Sequence, residues 1–296
     1  MPRTPSQPYL SGVSTGNGDH DEGEVLARRP AERKLIAFGW YGGKYSHQKW
    51  LLPLLLKCHH YCEPFAGSAA ILLNREPSPV ETYNDIDGEV VNFFQVLRNQ
   101  TSRLKKAIAL TPFSREEFYR ALNGEGETLS DLERARRFYV RARQARTGLA
   151  QTASLGRWAN CKRTSRSGMS GVVSRWLGGV DMLDEIAKRL LRVQIENRPA
   201  LEVIQLYDAK DTFFYCDPPY PHESRGDAKA YLYEMSEDDH AELAELLHRI
   251  KGEAAVSGYR CALMDRLYKD WKRNDGPPKR CHSVKKTRQE ALWTNY

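Results

Sequence analysis

The 296-residue chain reads as an α/β fold: one sheet interrupted by a second, mainly helical and loop-like module. Three observations predict it. Strand-like apolar runs alternate with helix-patterned segments on both sides of a long basic stretch. A strand, a tight small-residue turn and a helix start follow one another at 61–73, the arrangement of a nucleotide-type crevice in an open sheet. An acid, Asp85, then closes the next strand eighteen residues after Gly67.

Residues 1–33 are rich in Pro, Ser, Gly and charge, and read as a disordered tail. Order is expected from Leu35 onward. Trp40-Tyr41-Gly42-Gly43-Lys44 is a glycine-flanked aromatic loop that lets backbone approach a ligand, with Lys44 placed to meet a ligand carboxylate. A helix-like run bent at Pro53 follows. Glu63-Pro64-Phe65-Ala66-Gly67-Ser68 forms the small-residue turn, but without Gly-x-Gly-x-x-Gly spacing, which disfavours NAD. In Asn84-Asp85-Ile86-Asp87, a carboxylate is placed to accept from both hydroxyls of a ribose, and Asp85 is the candidate. The bland alternative is that Asp85 or Asp87 caps the next helix, whose face carries Val90, Val91, Phe93, Phe94 and Leu97. Adjacent residues can do both jobs.

From about 112 to 190 the pattern changes. A polar helix over 114–122 precedes Ser130-Asp131-Leu132-Glu133, a capping-box start to a helix with Arg134, Arg137 and Arg141 on one face. Net charge is +7 overall, yet residues 134–175 hold eleven Lys/Arg and no acid, leaving the rest mildly acidic. After Gly148 the segment is Gly/Ser/Thr/Arg-rich and looks too basic and too poor in apolar runs for a sheet core. It reads as a module lying on phosphates, with Arg134, Arg137, Arg141, Arg143, Arg146, Arg157, Lys162 and Arg163 as contacts. The domain reading is therefore a split sheet domain, 34–110 and 190–296, around a recognition module at 111–189.

Strand-like residues 193–196 and an apolar stretch over 201–206 return the chain to the sheet. Residues 213–216 read as a buried strand running into Asp217-Pro218-Pro219-Tyr220. Two prolines lack N–H donors and fix φ, so the chain leaves the sheet in a stiff turn. That turn offers a carboxylate, open carbonyls and an aromatic ring. Asp217 and the Pro218 carbonyl suit the two hydrogens of an exocyclic amine, with Tyr220 over the ring face. By itself Asp-Pro-Pro is also an ordinary loop. Beyond it, 221–229 is polar and read as mobile. Ser236 to Asp239 caps a helix ended by Gly252, residues 254–259 form a strand, and a helix over 262–271 follows. Segments 280–284 and 290–296 are expected to pair as a terminal hairpin.

Six cysteines include no Cys-x-x-Cys pair. Cys58-His59-His60-Tyr61-Cys62 falls in a strand-like stretch where alternate residues diverge, so no metal site is expected. With no apolar run of transmembrane length and no signal core, a cytosolic chain with reduced thiols is expected.

Taken in order, the aromatic-Gly-Gly-Lys loop, Glu-Pro-Phe-Ala-Gly-Ser, Asn-Asp-Ile-Asp, the basic insertion and Asp-Pro-Pro-Tyr resemble the Dam-type DNA N6-adenine methyltransferases, alpha arrangement. The runs Tyr231-Leu232-Tyr233-Glu234-Met235 and Leu292-Trp293-Thr294-Asn295-Tyr296 look like that family too. The resemblance implies a Rossmann-like methyltransferase sheet with S-adenosylmethionine as donor and adenine in double-stranded DNA as acceptor. It implies donor contacts from Trp40, Tyr41, Gly43, Lys44, Glu63, Pro64, Phe65, Gly67, Asp85, Ile86 and Asp217, with catalysis at Asp217, Pro218, Pro219 and Tyr220. It is compatible with a monomer, with a cognate restriction endonuclease, and with a bacterial or phage-borne enzyme. N4-cytosine methylation, an RNA adenine substrate and a non-catalytic DNA-binding module are the alternatives. Where better-known members carry an Asn-Arg-Thr-x-Phe-Asn-Gly-type run, this chain has Arg143-Gln144-Ala145-Arg146.

Overall fold

β1 (His60–Glu63) and β2 (Val80–Asn84) are short strands, each buried at all but its first residue. The computed structural model of the chain describes residues 34–123, 128–146, 150, 152–225, 231–280 and 287–296. The tail reading for 1–33 lies outside them, as do residues 226–229 of the 221–229 segment. Before β1 comes α1 (Gln48–Leu51), a single turn that passes into a 3-10 turn at Leu52–Leu54 around Pro53. After β2 come α2 (Gly88–Asn99), α3 (Thr101–Ala109), α4 (Arg115–Leu122) and α5 (Asp131–Gln144). The hairpin β3 (Ser165–Arg166) and β4 (Met169–Ser170) leads into α6 (Gly171–Val180) and α7 (Leu183–Leu190). β5 (Gln194–Glu196), α8 (Ala200–Tyr207), β6 (Thr212–Cys216), α9 (Glu237–Leu247), β7 (Glu253–Tyr259) and α10 (Ala262–Leu267) return to the sheet. β8 (Lys272–Asp275), β9 (Lys279–Arg280), β10 (Thr287–Arg288) and β11 (Glu290–Thr294) end the chain.

Among the described residues, seven strands make one sheet in the order β5-β2-β1-β6-β7-β11-β8. The first five run parallel, and β11 runs antiparallel to both β7 and β8. This is the expected mixed α/β, Rossmann-like sheet. From β1 the chain builds outward through β2 to β5 on one side, and later through β6 to β7 on the other. Such a reversal opens a crevice at the carboxyl ends of β1 and β6. Every residue of β6 is buried, as a central parallel strand requires.

Two local expectations are corrected. The turn after β1 does not open a regular helix: Gly67 and Ala69 both take left-handed φ, 48° and 55°, and irregular turns continue to Arg75. Residues 201–206, the apolar stretch that leads back to the sheet, form helix α8, with Pro199 at its N-cap. The terminal hairpin is β8 with β11, while Arg280 pairs with Thr287; residues 281–286 lie outside the described set. Helix α5, expected from its capping start, also packs into the core. Its Ala135, Phe138, Tyr139, Val140 and Ala142 are buried, and Tyr139 stacks on Phe93 of α2 at 5.6 Å and 13°. The basic residues occupy only its other face. Helix α3, with Leu104 and Ile108 buried, had no reading from sequence.

Residues Lys34–Tyr296 form one compact unit, so the segment 111–189 shares its core with the sheet. Among the described residues, no helix is long and apolar enough to cross a membrane. No group of three or more His, Cys, Asp or Glu side chains among them is placed to hold a metal ion.

Candidate active site

Three acids stand at the carboxyl ends of neighbouring strands: Glu63 ends β1, Asp85 follows β2, and Asp217 follows β6. Register puts them there, because parallel strands aligned in one sheet finish on one edge. Between them opens a cavity of about 370 Å³. Every residue expected to hold the donor lines it: Trp40, Tyr41, Gly43 and Lys44 from the first loop, Glu63, Pro64, Phe65 and Gly67 from the second, and Asp85, Ile86 and Asp217.

The two loops touch through glycine. A Cβ on Gly67, which already takes φ +48°, would stand 2.5 Å from Trp40 Nε1. A Cβ on Gly42, at φ +74°, would stand 2.6 Å from the Tyr231 hydroxyl. Both positions need glycine for conformation and for space.

Asp85 and Asp87 divide the two jobs anticipated for them. Asp85 accepts from the backbone N–H of Gly67 at 2.8 Å and of Asp87 at 2.9 Å, closing the second loop against β2. Asp87 caps α2, accepting from Glu89 N–H at 2.9 Å. Part of Asp85 is exposed, yet enclosure of its carboxyl pushes its pKa up to about 6 against the pull of those N–H groups. Glu63 is 2% exposed and accepts from the Tyr61 hydroxyl at 2.7 Å. Burial pushes it up to about 8, although Tyr61 and Arg75 pull the other way.

Lys44 departs from its expected role. Its ammonium meets the carboxylate of the protein's own Asp217, at 2.7 Å from Oδ1 and 2.8 Å from Oδ2, and donates to Gly42 O at 2.6 Å. Burial alone pulls Lys44 down, but Asp217 and Glu290 together outweigh it and hold the ammonium above its ordinary pKa. Ser257 Oγ donates to Asp217 Oδ1 at 2.7 Å.

Pro219 lines the cavity beside Asp217, whereas Pro218 and Tyr220 do not. Tyr220 is 4% exposed and its hydroxyl donates to Glu290 at 2.5 Å. Its ring is therefore buried in this structure. Several lining residues had no signal in the sequence: Tyr215, Leu201 at the start of α8, and Asp239 and Glu242 of α9. They arrive by tertiary packing rather than on a local motif. Tyr231 and Met235, which also line the cavity, lie in a run noted from the sequence.

The basic segment separates into two groups. Arg134 holds Glu89 at 2.6 Å and Asp131 at 3.0 Å. Arg137 holds Glu133 at 2.9 Å, and Glu133 also binds Arg136. Arg141 donates to Ala121 O at 2.8 Å and lies 3.6 Å from Glu89. These three bind their own protein. Arg143 donates to Arg175 O, and Arg146 to Asn160 at 2.6 Å. Arg157 is half-buried in a 3-10 turn. Lys162, Arg163 and Arg166 are exposed on and before the β3–β4 hairpin, and no carboxylate of the described residues pairs with them. Ser167 and Gly168, both left-handed at φ 52° and 73°, turn that hairpin tightly. Arg166, which had no separate signal in the sequence, shares this exposed stretch.

No curated protein matches this chain. The family model for D12 class N6 adenine-specific DNA methyltransferases matches residues 40–289, a span running from Trp40 through all three acids and the turn 217–220. Its members use S-adenosylmethionine as methyl donor, and the glycine-cradled cavity with acids at two strand ends fits such a group. The chain belongs to the D12 class N6 adenine-specific DNA methyltransferase family.

Proposed function

We propose that this adenine-N6 DNA methyltransferase works on a flipped-out adenine through the turn 217–220. The observation that carries the reading is Asp217, which leaves β6 at the cavity wall with Lys44 and Ser257 fixing its carboxylate. When bound, S-adenosylmethionine supplies an electrophilic methyl on a sulfonium. Glu63 and Asp85 are the acids for its ammonium and ribose ends. The adenine N6 lone pair is delocalised into the ring and is a weak nucleophile. Asp217 and the Pro218 carbonyl accept the two amine hydrogens and turn the nitrogen toward a tetrahedral geometry. Lys44, held as an ammonium, donates to Asp217 and competes for none of the amine's hydrogens. The surplus proton leaves to water. A base inside a duplex is out of reach of this cavity, so it must be flipped out at a cost of roughly a few kcal/mol.

The direct test incubates the protein with labelled S-adenosylmethionine and unmethylated genomic DNA, then digests the DNA to nucleosides for mass spectrometry. N6-methyladenine is the expected product. N4-methylcytosine would overturn the base assignment, and no methyl-nucleoside from donor-binding protein would favour a binding module.

We assign DNA contact within 111–189 to the hairpin rather than to the exposed face of α5. Lys162, Arg163 and Arg166 have no carboxylate partner among the described residues, so phosphates are their natural counter-ions. Replacing all three by alanine should reduce the slope of log K against log salt by roughly 2–3, about 0.9 per phosphate contact. Truncating Arg137 and Arg141 should leave that slope unchanged and lower the melting temperature instead. A shallower slope for the Arg137/Arg141 pair would reverse the assignment. The same reading has a monomer acting on duplex DNA in a bacterial or phage-infected cytoplasm. Family membership is compatible with a cognate restriction endonuclease.

A further inference from the structure

Glu290 is the first residue of β11 and lies one position beyond the matched family span. Pairing of β11 with β7 sets Glu290 opposite Tyr259. Its backbone is pinned as well, its carbonyl accepting from Gly276 N–H at 2.7 Å. Its carboxylate, 5% exposed, accepts from the Tyr220 hydroxyl at 2.5 Å. The Tyr220 ring meets Tyr259 edge-on, with centroids 4.9 Å apart at 79°. Lys44 Nζ lies 4.8 Å from the centre of the same ring. Tyr220 is thus held at its hydroxyl, its edge and its face.

A buried carboxylate is costly unless hydrogen-bonded and paired. Glu290 also lies 3.9 Å from His47 Nε2 and acts on the Lys44 ammonium, and its grip on the Tyr220 hydroxyl calls for a reason of its own. The two ends of the turn supply one. Asp217 is tethered by Lys44 and Ser257, and Tyr220 by Glu290. Between them stand two prolines whose φ is fixed. With both ends held, the direction of the Pro218 carbonyl is left little freedom.

We propose that Glu290 is a positioning residue for methyl transfer: by gripping the Tyr220 hydroxyl it aims the catalytic turn, so that Asp217 and the Pro218 carbonyl converge on one amine. This rests on the reading of Asp217 and Pro218 as the amine's acceptors. The test measures kcat for methylation of unmethylated genomic DNA, and the Kd for S-adenosylmethionine, in the parent and in Glu290→Ala, Glu290→Gln, Tyr220→Phe and the Glu290→Ala/Tyr220→Phe double variant. Glu290→Ala and Tyr220→Phe should each lower kcat by about tenfold or more, as small misalignments do, while donor Kd stays within about twofold. The double variant should be no worse than the poorer single within about twofold, because both remove one link. Glu290→Gln keeps an acceptor oxygen and should recover most of the loss. Parental kcat in Glu290→Ala or Tyr220→Phe, multiplying effects in the double, or Glu290→Gln as poor as Glu290→Ala would overturn the proposal. Tyr220→Phe removes a single oxygen and keeps the test decisive if Glu290→Ala does not fold. A parent that methylates no DNA would instead sink the underlying reading.

Discussion

Asp217→Ala should lower kcat for DNA methylation by about a thousandfold, the upper end of what one group poised at a reacting centre contributes. Binding of S-adenosylmethionine should change little, because the other residues that line the donor cavity remain, Glu63 and Asp85 among them. The structure adds a second consequence that the turn sequence alone does not suggest. Lys44 is 3% exposed, and its carboxylate partner is Asp217 at 2.7 Å. Removing one member of a buried pair leaves a charge without compensation, at a cost of roughly 3–5 kcal/mol. Glu290 and the Gly42 carbonyl soften that cost. Asp217→Ala should therefore melt well below the parent, and Asp217→Ala/Lys44→Met should recover much of the stability without recovering activity. Calorimetry with single-turnover methylation separates the two effects. Activity that returns with stability would mean that Asp217 is structural and that the acceptor lies elsewhere.

The parts of the site that were legible in the sequence are those carried on local motifs at strand ends. Glu63, Gly67 and Asp85 each sit within a few residues of a strand terminus, and parallel register does the rest. What stayed hidden depends on partners distant in the chain. Arg134, Arg137 and Arg141 share a helix face, as their spacing implies, but the spacing of arginines carries no information about Glu89, forty-five residues away, or about the Ala121 carbonyl. A count of basic residues measures charge and not whether that charge is already neutralised. Tyr220 is a similar case. Its hydroxyl is held by Glu290, seventy residues later on a strand brought to it by the β7–β11 pairing, a partner that the motif itself does not disclose. The turn after β1 went the other way: the small residues were visible, but the left-handed Ala69 that breaks the expected helix was not.

Glu63 makes the donor affinity depend on pH, and the sign follows from its surroundings. Burial holds its carboxyl up at about 8 when the cavity contains no donor, so at pH 6–7 the group carries a proton. Pairing with the donor's ammonium requires that proton to leave. Affinity should therefore rise as pH increases toward 8, by at most about tenfold per unit, since one unit is worth about 1.4 kcal/mol. Above that the donor's own amino group, with an ordinary α-amino pKa of about 7.7–8.0, begins to lose its charge and the gain ends. Asp85, pushed to about 6, adds its own dependence only at the acid end. Glu63→Gln should bind S-adenosylmethionine about ten- to a hundredfold more weakly at pH 8 and show a nearly flat profile between pH 6.5 and 8. Stability moves oppositely. A carboxyl whose folded pKa lies above its unfolded value penalises the fold progressively as pH rises from about 4.5 through 8. The Gln variant without donor should thus melt higher than the parent, with the gap widening across that window. Titration calorimetry at several pH values, paired with melting curves recorded without donor, reads both. A parent whose affinity is flat over this range, or a Gln variant that keeps the parent's slope, would remove Glu63 from the donor site.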